Sequence, residues 1–188
     1  MSLKSVAIVG VTGAVGQEML DVLAARDFPL SNLRPLASER SAGKTVQFRG
    51  EEIPIEVLGG DSFSGVDLAL FSAGASISRE YAPVAVDAGA VVVDNSSAFR
   101  MDPSIPLVVP EVNSDAIAAH QGVIANPNCS TIIMVVALQP IHELSALTRV
   151  VVSTYQAASG AGAKGMEALR RELAGEELQD SPFPHRLA

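Results

Sequence analysis

Apolar positions along this chain follow two alternating rhythms. Val6 to Val9 is a short unbroken apolar run, the pattern of a strand buried on both faces. After a glycine-rich turn, Val15, Met19, Leu20, Val22 and Leu23 recur at helical spacing up to Arg26. Leu33 to Ala37 predicts a second strand. Gly43 to Val57 mixes glycine, charge and β-formers and predicts a peripheral hairpin. Val66 to Phe71 predicts another buried strand, Ser78 to Ala88 a helix that Pro83 interrupts or starts, and Val91 to Asp94 a strand again. Leu107 to Val109, Val123 to Ala125 and Val150 to Tyr155 are further predicted strands. Ile132 to Leu144 is apolar throughout and predicts a buried helix that begins at about Cys129. Ala163 to Leu178 interleaves Glu167, Arg170, Arg171, Glu172, Glu176 and Glu177 with apolar residues and predicts an exposed helix. Strands alternating with helices imply βαβ units, hence an α/β fold built on a doubly wound parallel sheet.

Asn126-Pro127-Asn128 breaks the chain before the helix at Cys129 and places a domain boundary there, dividing residues 1–127 from residues 128–188. The second part holds one convincing strand, and one strand cannot bury its faces. It therefore reads as the beginning of a second, α+β domain whose remainder lies outside these 188 residues. The chain has no internal repeat and no low-complexity tract.

Composition narrows the function classes. A net charge of −8 argues against general nucleic-acid binding, which needs a basic face. Tryptophan is absent and aromatics are only 4%, so base-stacking platforms are not expected. The single cysteine excludes an internal disulfide and a cysteine-rich metal site, and it fits a reducing cytoplasm. The N-terminus has no signal-peptide pattern, and no apolar run reaches the roughly 18 residues that span a bilayer. The expectation is a cytoplasmic protein with no metal, no nucleic-acid partner and no membrane segment.

Gly10-Val-Thr-Gly13-Ala-Val-Gly16 follows the first predicted strand and opens the first predicted helix. Its GxxGxxG spacing is a variant of the dinucleotide fingerprint of Rossmann-type sheets. Gly10 permits the tight turn, Gly13 lets backbone amides approach a pyrophosphate, Thr12 adds a hydroxyl, and Gly16 allows close helix–strand packing. At the end of the second strand stands Ser38-Glu39-Arg40-Ser41-Ala-Gly-Lys44. Glu39 could hold ribose hydroxyls, as in NAD enzymes. Ser38, Arg40, Ser41 and Lys44 form a donor set suited to a 2′-phosphate, which favours NADP over NAD. A solvated turn before the hairpin is the plain alternative. Phe71-Ser72-Ala73-Gly74 and Val93-Asp94-Asn95-Ser96 end strands in small or polar residues, where ligands bind in this architecture. Asp94 and Asn95 could equally be turn residues. Arg100 reads as an anion receptor or as half of an exposed ion pair. Cys129 at a helix start faces backbone N–H groups and the positive end of the helix dipole, which favour thiolate and suggest covalent catalysis. A small hydrophobe filling a core is the plain alternative for it.

Six motifs in order resemble the bacterial aspartate-β-semialdehyde dehydrogenase family across essentially the whole chain. They are Gly-Val-Thr-Gly-Ala-Val-Gly (10–16), Ser-Glu-Arg-Ser-Ala-Gly-Lys (38–44), Asp-Asn-Ser-Ser-Ala-Phe-Arg (94–100), Val-Pro-Glu-Val-Asn (109–113), Asn-Pro-Asn-Cys-Ser-Thr (126–131) and Thr-Tyr-Gln-Ala-Ala-Ser-Gly-Ala-Gly (154–162). The related N-acetyl-glutamyl-phosphate reductases carry Gly-Cys where this chain has Asn128-Cys129. The resemblance implies a reversible, phosphate-dependent, NADP-linked conversion between aspartyl phosphate and aspartate semialdehyde. That step feeds lysine (through diaminopimelate), methionine and threonine synthesis. It implies that Cys129 is the nucleophile of a thioester mechanism, that Gln156 orients substrate, and that Arg100, with Asn128 and Gln156, belongs to the substrate- and phosphate-binding set. It assigns the cofactor to Gly10, Thr12, Gly13, Ala14, Val15, Ser38, Arg40, Ser41, Ser72, Asn95, Ser159 and Gly160. Residues 1–127 become the NADP-binding domain and residues 128–188 the start of a catalytic and dimerisation domain, with a homodimer expected for the full-length protein.

A thioester mechanism also needs a general acid/base, most often histidine. His120, His142 and His185 lie in no motif that resembles the family's base. The resemblance places the catalytic histidine, the carboxylate-binding arginine and a phosphate-binding lysine beyond Ala188. The 188 residues alone are therefore expected to be inactive, and a non-catalytic nucleotide-binding module is the alternative reading.

Overall fold

The computed structural model describes residues 4–188, in two compact units, residues 4–148 and Arg149–Ala188. In the first unit the chain runs β1 (Lys4–Val9), α1 (Ala14–Ala25), β2 (Leu30–Ala37), a hairpin of β3 (Thr45–Phe48) and β4 (Glu51–Pro54), a short β5 (Glu56–Val57) and β6 (Leu68–Phe71). It continues through α2 (Ala75–Asp87), β7 (Val91–Asp94), the single turn α3 (Pro110–Asn113), β8 (Val123–Ala125) and α4 (Cys129–Leu144). Six strands form one sheet in the order β5-β2-β1-β6-β7-β8, and every pairing is parallel. This is the doubly wound, Rossmann-type α/β sheet. The order reverses between β1 and β6, the crevice where such sheets bind ligands.

Burial explains the unbroken apolar run of β1. Val6 and Ile8 face a core with Leu20 and Leu23 of α1 and with Val46 and Phe48 of the hairpin. Ala7 and Val9 face the opposite core, with Phe63, Phe71, Ala82 and Ala85. Alternate residues of a strand point to opposite faces, so a strand covered on both sides has no polar positions to spare. The hairpin is present, but it is not merely peripheral: its inward residues close the α1 side of the core.

Four expectations are corrected. Pro83 neither starts nor interrupts α2, which runs through it. Pro83 and Arg79, whose carbonyl loses its helical partner, both lie on the exposed face, so that carbonyl is not left buried without a partner. Leu107 to Val109 is no strand of the sheet but a single bridge, Leu107 to Ala125, between Pro106, which lacks an N–H, and Pro110 at the start of α3. Val150 to Tyr155 forms no strand, since among the described residues no strand pairs with it. Finally, α4 starts at Cys129 but buries no residue, with Ile133 at 72% and Leu144 at 89% exposure. A helix apolar on nearly all sides is built to be enclosed. Among the described residues of the first unit that surface is only half covered: Ile132, Met134 and Val135 are half-buried, and Ile133, Ile141 and Leu144 are exposed.

In the second unit, a tight turn at Ala158–Ala161 leads into α5 (Gly162–Leu173). The helix stops short of Leu178 because Gly175 takes φ +86°. Its N–H bonds the Glu172 carbonyl and that of Glu176 bonds the Arg171 carbonyl, which closes the helix end. Gly165, Ala168 and Glu172 are buried, so the helix is exposed on only part of its surface.

Candidate functional site

Because the sheet is parallel, all its strand C-termini lie on one edge, and the first unit's predicted site residues gather there. At the β1/β6 switch, Gly10 has φ +89°, and a Cβ on it would lie 2.9 Å from the Ala73 backbone N. A Cβ on Gly16 would run into the Gly10 carbonyl oxygen and the Val11 backbone. These two positions accept only glycine. Gly13 caps α1 with no side-chain hydrogen bond to the helix, and the first turn carries no acidic residue. Thr12, Gly13, Ala14 and Val15 are all exposed around it. The open amides of the α1 N-terminus therefore fit a pyrophosphate. Ser72 N–H and Oγ both donate to the Val9 carbonyl, at 2.9 and 3.2 Å, so Ser72 stitches β6 to the start of the turn.

At the end of β2, Ser38 accepts the Ser41 N–H through its carbonyl and opens a short turn over Glu39–Ser41. Ser38, Glu39 and Arg40 are exposed, whereas Ser41 is buried. Among the described residues, the side chains of Arg40 and Lys44 have no hydrogen-bonding or ion-pair partner. An open groove of about 510 Å³ runs from Thr12 along Gln17 and Asp21 of α1 to Lys44 and Gln47 of the hairpin.

At the ends of β7 and β8 two loops are tied together. Arg100 Nε donates to the Asn126 carbonyl at 2.9 Å and Nη2 to the Asn95 carbonyl at 3.1 Å. Among the described residues Arg100 has no carboxylate partner, so the exposed ion-pair reading does not hold there. Asn126 N–H in turn donates to the Asp94 carbonyl at 3.1 Å. Asp94 is the last residue of β7 and fully buried, not a turn residue. Its carboxylate accepts from Ser78 Oγ of α2 at 2.6 Å and from Ser96 Oγ at 2.7 Å. Asn128 caps α4, its Oδ1 accepting the Ser130 N–H at 3.0 Å. Cys129 follows as the first residue of α4 and is exposed, which rules against a core-filling role within this unit.

The second unit carries Gln156, Ser159 and Gly160. Gly160 N–H donates to the Ala157 carbonyl at 3.0 Å, and a Cβ on Gly160 would lie 2.5 Å from Gln156 Nε2. The Gln156 amide therefore rests against the turn. Among the described residues, no group of three or more His, Cys, Asp or Glu side chains is placed to hold a metal ion, and no helix is long and apolar enough to cross a membrane.

Residues 5–120 match the family model described as semialdehyde dehydrogenase, NAD binding domain. The chain belongs to the semialdehyde dehydrogenase family. Residues 138–187 match that family's dimerisation domain. Aspartate-semialdehyde dehydrogenases of Synechocystis and Aquifex aeolicus are 55% and 53% identical, each over 97% of this chain but only 55% and 56% of their own length. The chain thus spans about half the length of the curated relatives it matches. A crystal structure of aspartate semialdehyde dehydrogenase II from Vibrio cholerae, complexed with ASA, superposes with a TM-score of 0.90 at 47% identity over all of this chain and 58% of its own. The Candida albicans enzyme, solved with NADP, gives 0.62 at 26% identity over 78% of this chain and 48% of its own.

In this semialdehyde dehydrogenase chain, sequence reasoning missed Ser78, Ser96 and the Asn126 backbone. Ser78 sits mid-helix and Asn126 reads as a chain break, so neither carries a local signal. Only the buried polar end of β7 hinted that something had to meet Asp94.

Proposed function

We propose that the full-length protein is an NADP-dependent aspartate-semialdehyde dehydrogenase. It would reduce aspartyl phosphate to aspartate semialdehyde reversibly, in the cytoplasm, on the route to lysine, methionine and threonine. The observation that carries this reading is Arg100, held on the Asn126 carbonyl three residues before the exposed Cys129. This contact brings Arg100 onto the turn that leads to Cys129, which supports an anion receptor working beside a nucleophile. In this reading Cys129 Sγ bonds the substrate's carbonyl carbon and, once that carbon is at the acyl level, holds it as a thioester. Phosphate, bound by Arg100, then displaces the sulfur to give aspartyl phosphate. Bound nicotinamide supplies the hydride acceptor, or the donor in the biosynthetic direction. Gln156 and Asn128 orient the substrate.

The cofactor is assigned to Gly10, Thr12, Gly13, Ala14, Val15, Ser38, Arg40, Ser41, Ser72, Asn95, Ser159 and Gly160. Support comes from the uncapped α1 N-terminus, the unpartnered Arg40 and the NADP seen in the Candida relative. Residues 1–127 form the NADP-binding domain, and residues 128–188 open the catalytic and dimerisation domain. The match to a dimerisation domain and the exposed apolar residues Ile133, Ile141 and Leu144 of α4 support a homodimer. The same match and the names of the relatives disfavour a non-catalytic module.

The deciding assay is NADPH formation by the full-length protein from aspartate semialdehyde. It should require phosphate and NADP; turnover without phosphate would overturn the reading. Arg40→Ala is expected to weaken NADP binding by about 10- to 100-fold, the worth of a hydrogen bond to a charged group, and to leave NAD binding unchanged. Titration with both dinucleotides checks this. Residues 1–188 alone should bind NADP without turning over. His120 and His142 each use Nδ1 to accept a nearby backbone N–H, from Gly122 and Leu147 respectively, and neither is presented as a base. Turnover by a purified chain of this mass would contradict that.

A further inference from the structure

We infer that Asp94 is a positioning residue that, through Ser96, sets the orientation of the Arg100 guanidinium beside the Cys129 turn. The inference rests on the proposed role of Arg100 as phosphate receptor. A carboxylate with no exposed surface is expensive, and burial of this kind is normally compensated by a cation. Here, among the described residues, no cation contacts Asp94; two serine hydroxyls satisfy it instead, one on each oxygen. The two serines anchor different things. Ser78 belongs to α2, so its bond holds the carboxylate to the body of the fold. Ser96 belongs to the loop that leads to Arg100, and its Oγ also accepts the Ala98 N–H at 3.0 Å. The carboxylate therefore transmits the rigidity of the core to the middle of that loop.

The backbone completes a closed circuit. The Asp94 carbonyl accepts the Asn126 N–H, the Asn126 carbonyl accepts Arg100 Nε, and Arg100 Nη2 returns to the Asn95 carbonyl beside Asp94. Asn95 N–H is itself pinned to the Phe71 carbonyl at 2.9 Å. The direction of the Asn95 carbonyl is set by its neighbours, Asp94 and Ser96, and the guanidinium follows it. Two of the five guanidinium N–H groups are committed to these carbonyls and three remain for an anion. A site that binds one phosphate between a fixed arginine and a nucleophile tolerates about 0.5 Å of error. Among the described residues, the Ser96–Asp94 bond ties the middle of this loop to a buried side chain that is itself held by α2.

The test compares Ser96→Ala, Ser96→Thr, Ser78→Ala and Arg100→Ala in the full-length protein, measuring KM for phosphate, kcat, NADP affinity and Tm. Ser96→Ala should raise the phosphate KM by about fivefold to tenfold, the effect of one lost hydrogen bond, with NADP affinity unchanged. Ser96→Thr should restore the KM. Ser78→Ala, which removes an equivalent bond to the same carboxylate but on the α2 side, should lower Tm as much and leave the phosphate KM within about twofold. Equal KM effects from both serine-to-alanine variants, or no effect from Ser96→Ala, would overturn the positioning role. Arg100→Ala separates the two layers. If it leaves the phosphate KM unchanged, the receptor role of Arg100 fails. If it raises the KM and Ser96→Ala does not, only the positioning role fails.

Discussion

Replacing Cys129 by serine in the full-length protein is expected to lower kcat by about 10⁴- to 10⁶-fold, the range seen when a covalent enzyme loses a member of its nucleophilic machinery. The loss is chemical. A serine hydroxyl is far less nucleophilic than a cysteine thiol, and an alkoxide is a poor leaving group for the incoming phosphate to displace. The fold gives no reason for stability to change. Cys129 is exposed, so a slightly smaller atom there opens no cavity. The cap of α4 comes from Asn128, which is untouched, and its bond to the Ser130 N–H persists. NADP affinity should stay within about twofold, because the glycine turn lies at the end of β1 and does not use the thiol. Steady-state NADPH formation, dinucleotide titration and thermal denaturation on one preparation check all three. A large drop in Tm or in NADP affinity with kcat preserved would make Cys129 a structural residue.

Gly16→Ala should weaken NADP binding by about 10- to 100-fold and cost about 1–3 kcal/mol of stability. The added Cβ would meet the Gly10 carbonyl oxygen and lie 2.7 Å from Val11 Cα. Both are backbone atoms of the turn, so no side chain can rotate aside. Either α1 slides off the sheet or the turn opens, and in both cases the amides after Gly13 leave the positions proposed to receive a pyrophosphate. Gly13→Ala is the internal comparison. Its Cβ would meet only the Gly10 carbonyl oxygen, at 3.3 Å, and Gly13 is exposed, so the fold should hold while close approach of the dinucleotide is hindered. Thermal melts and NADP titration distinguish the two. Normal NADP affinity in Gly16→Ala would remove the α1 N-terminus from the site.

Local physics made much of the fold legible from the chain. An unbroken apolar run such as Val6 to Val9 has one good solution, a strand covered on both faces, and the 3.6-residue period after it has another. Glycines at 10 and 16 announce a turn that no other residue fits. Asn128 before Cys129 announces a helix start, and α4 begins there. Where a property depends on which distant segment lies alongside, the same reasoning stopped. The apolar helix read as buried has no fully buried residue, and among the described residues the apolar run Val150 to Tyr155 found no partner strand. Burial and strand pairing are relations between segments, and periodicity describes only one of them. The sequence by itself therefore determined the parallel α/β sheet, its nucleotide turn and a cysteine at a helix start. Only the tertiary structure decided that Ser78 meets Asp94 across 16 residues and that Arg100 meets Asn126 across 26. Parallel strands bring their C-terminal ends to one edge whatever the distance along the chain, and no local pattern encodes which loops become neighbours there.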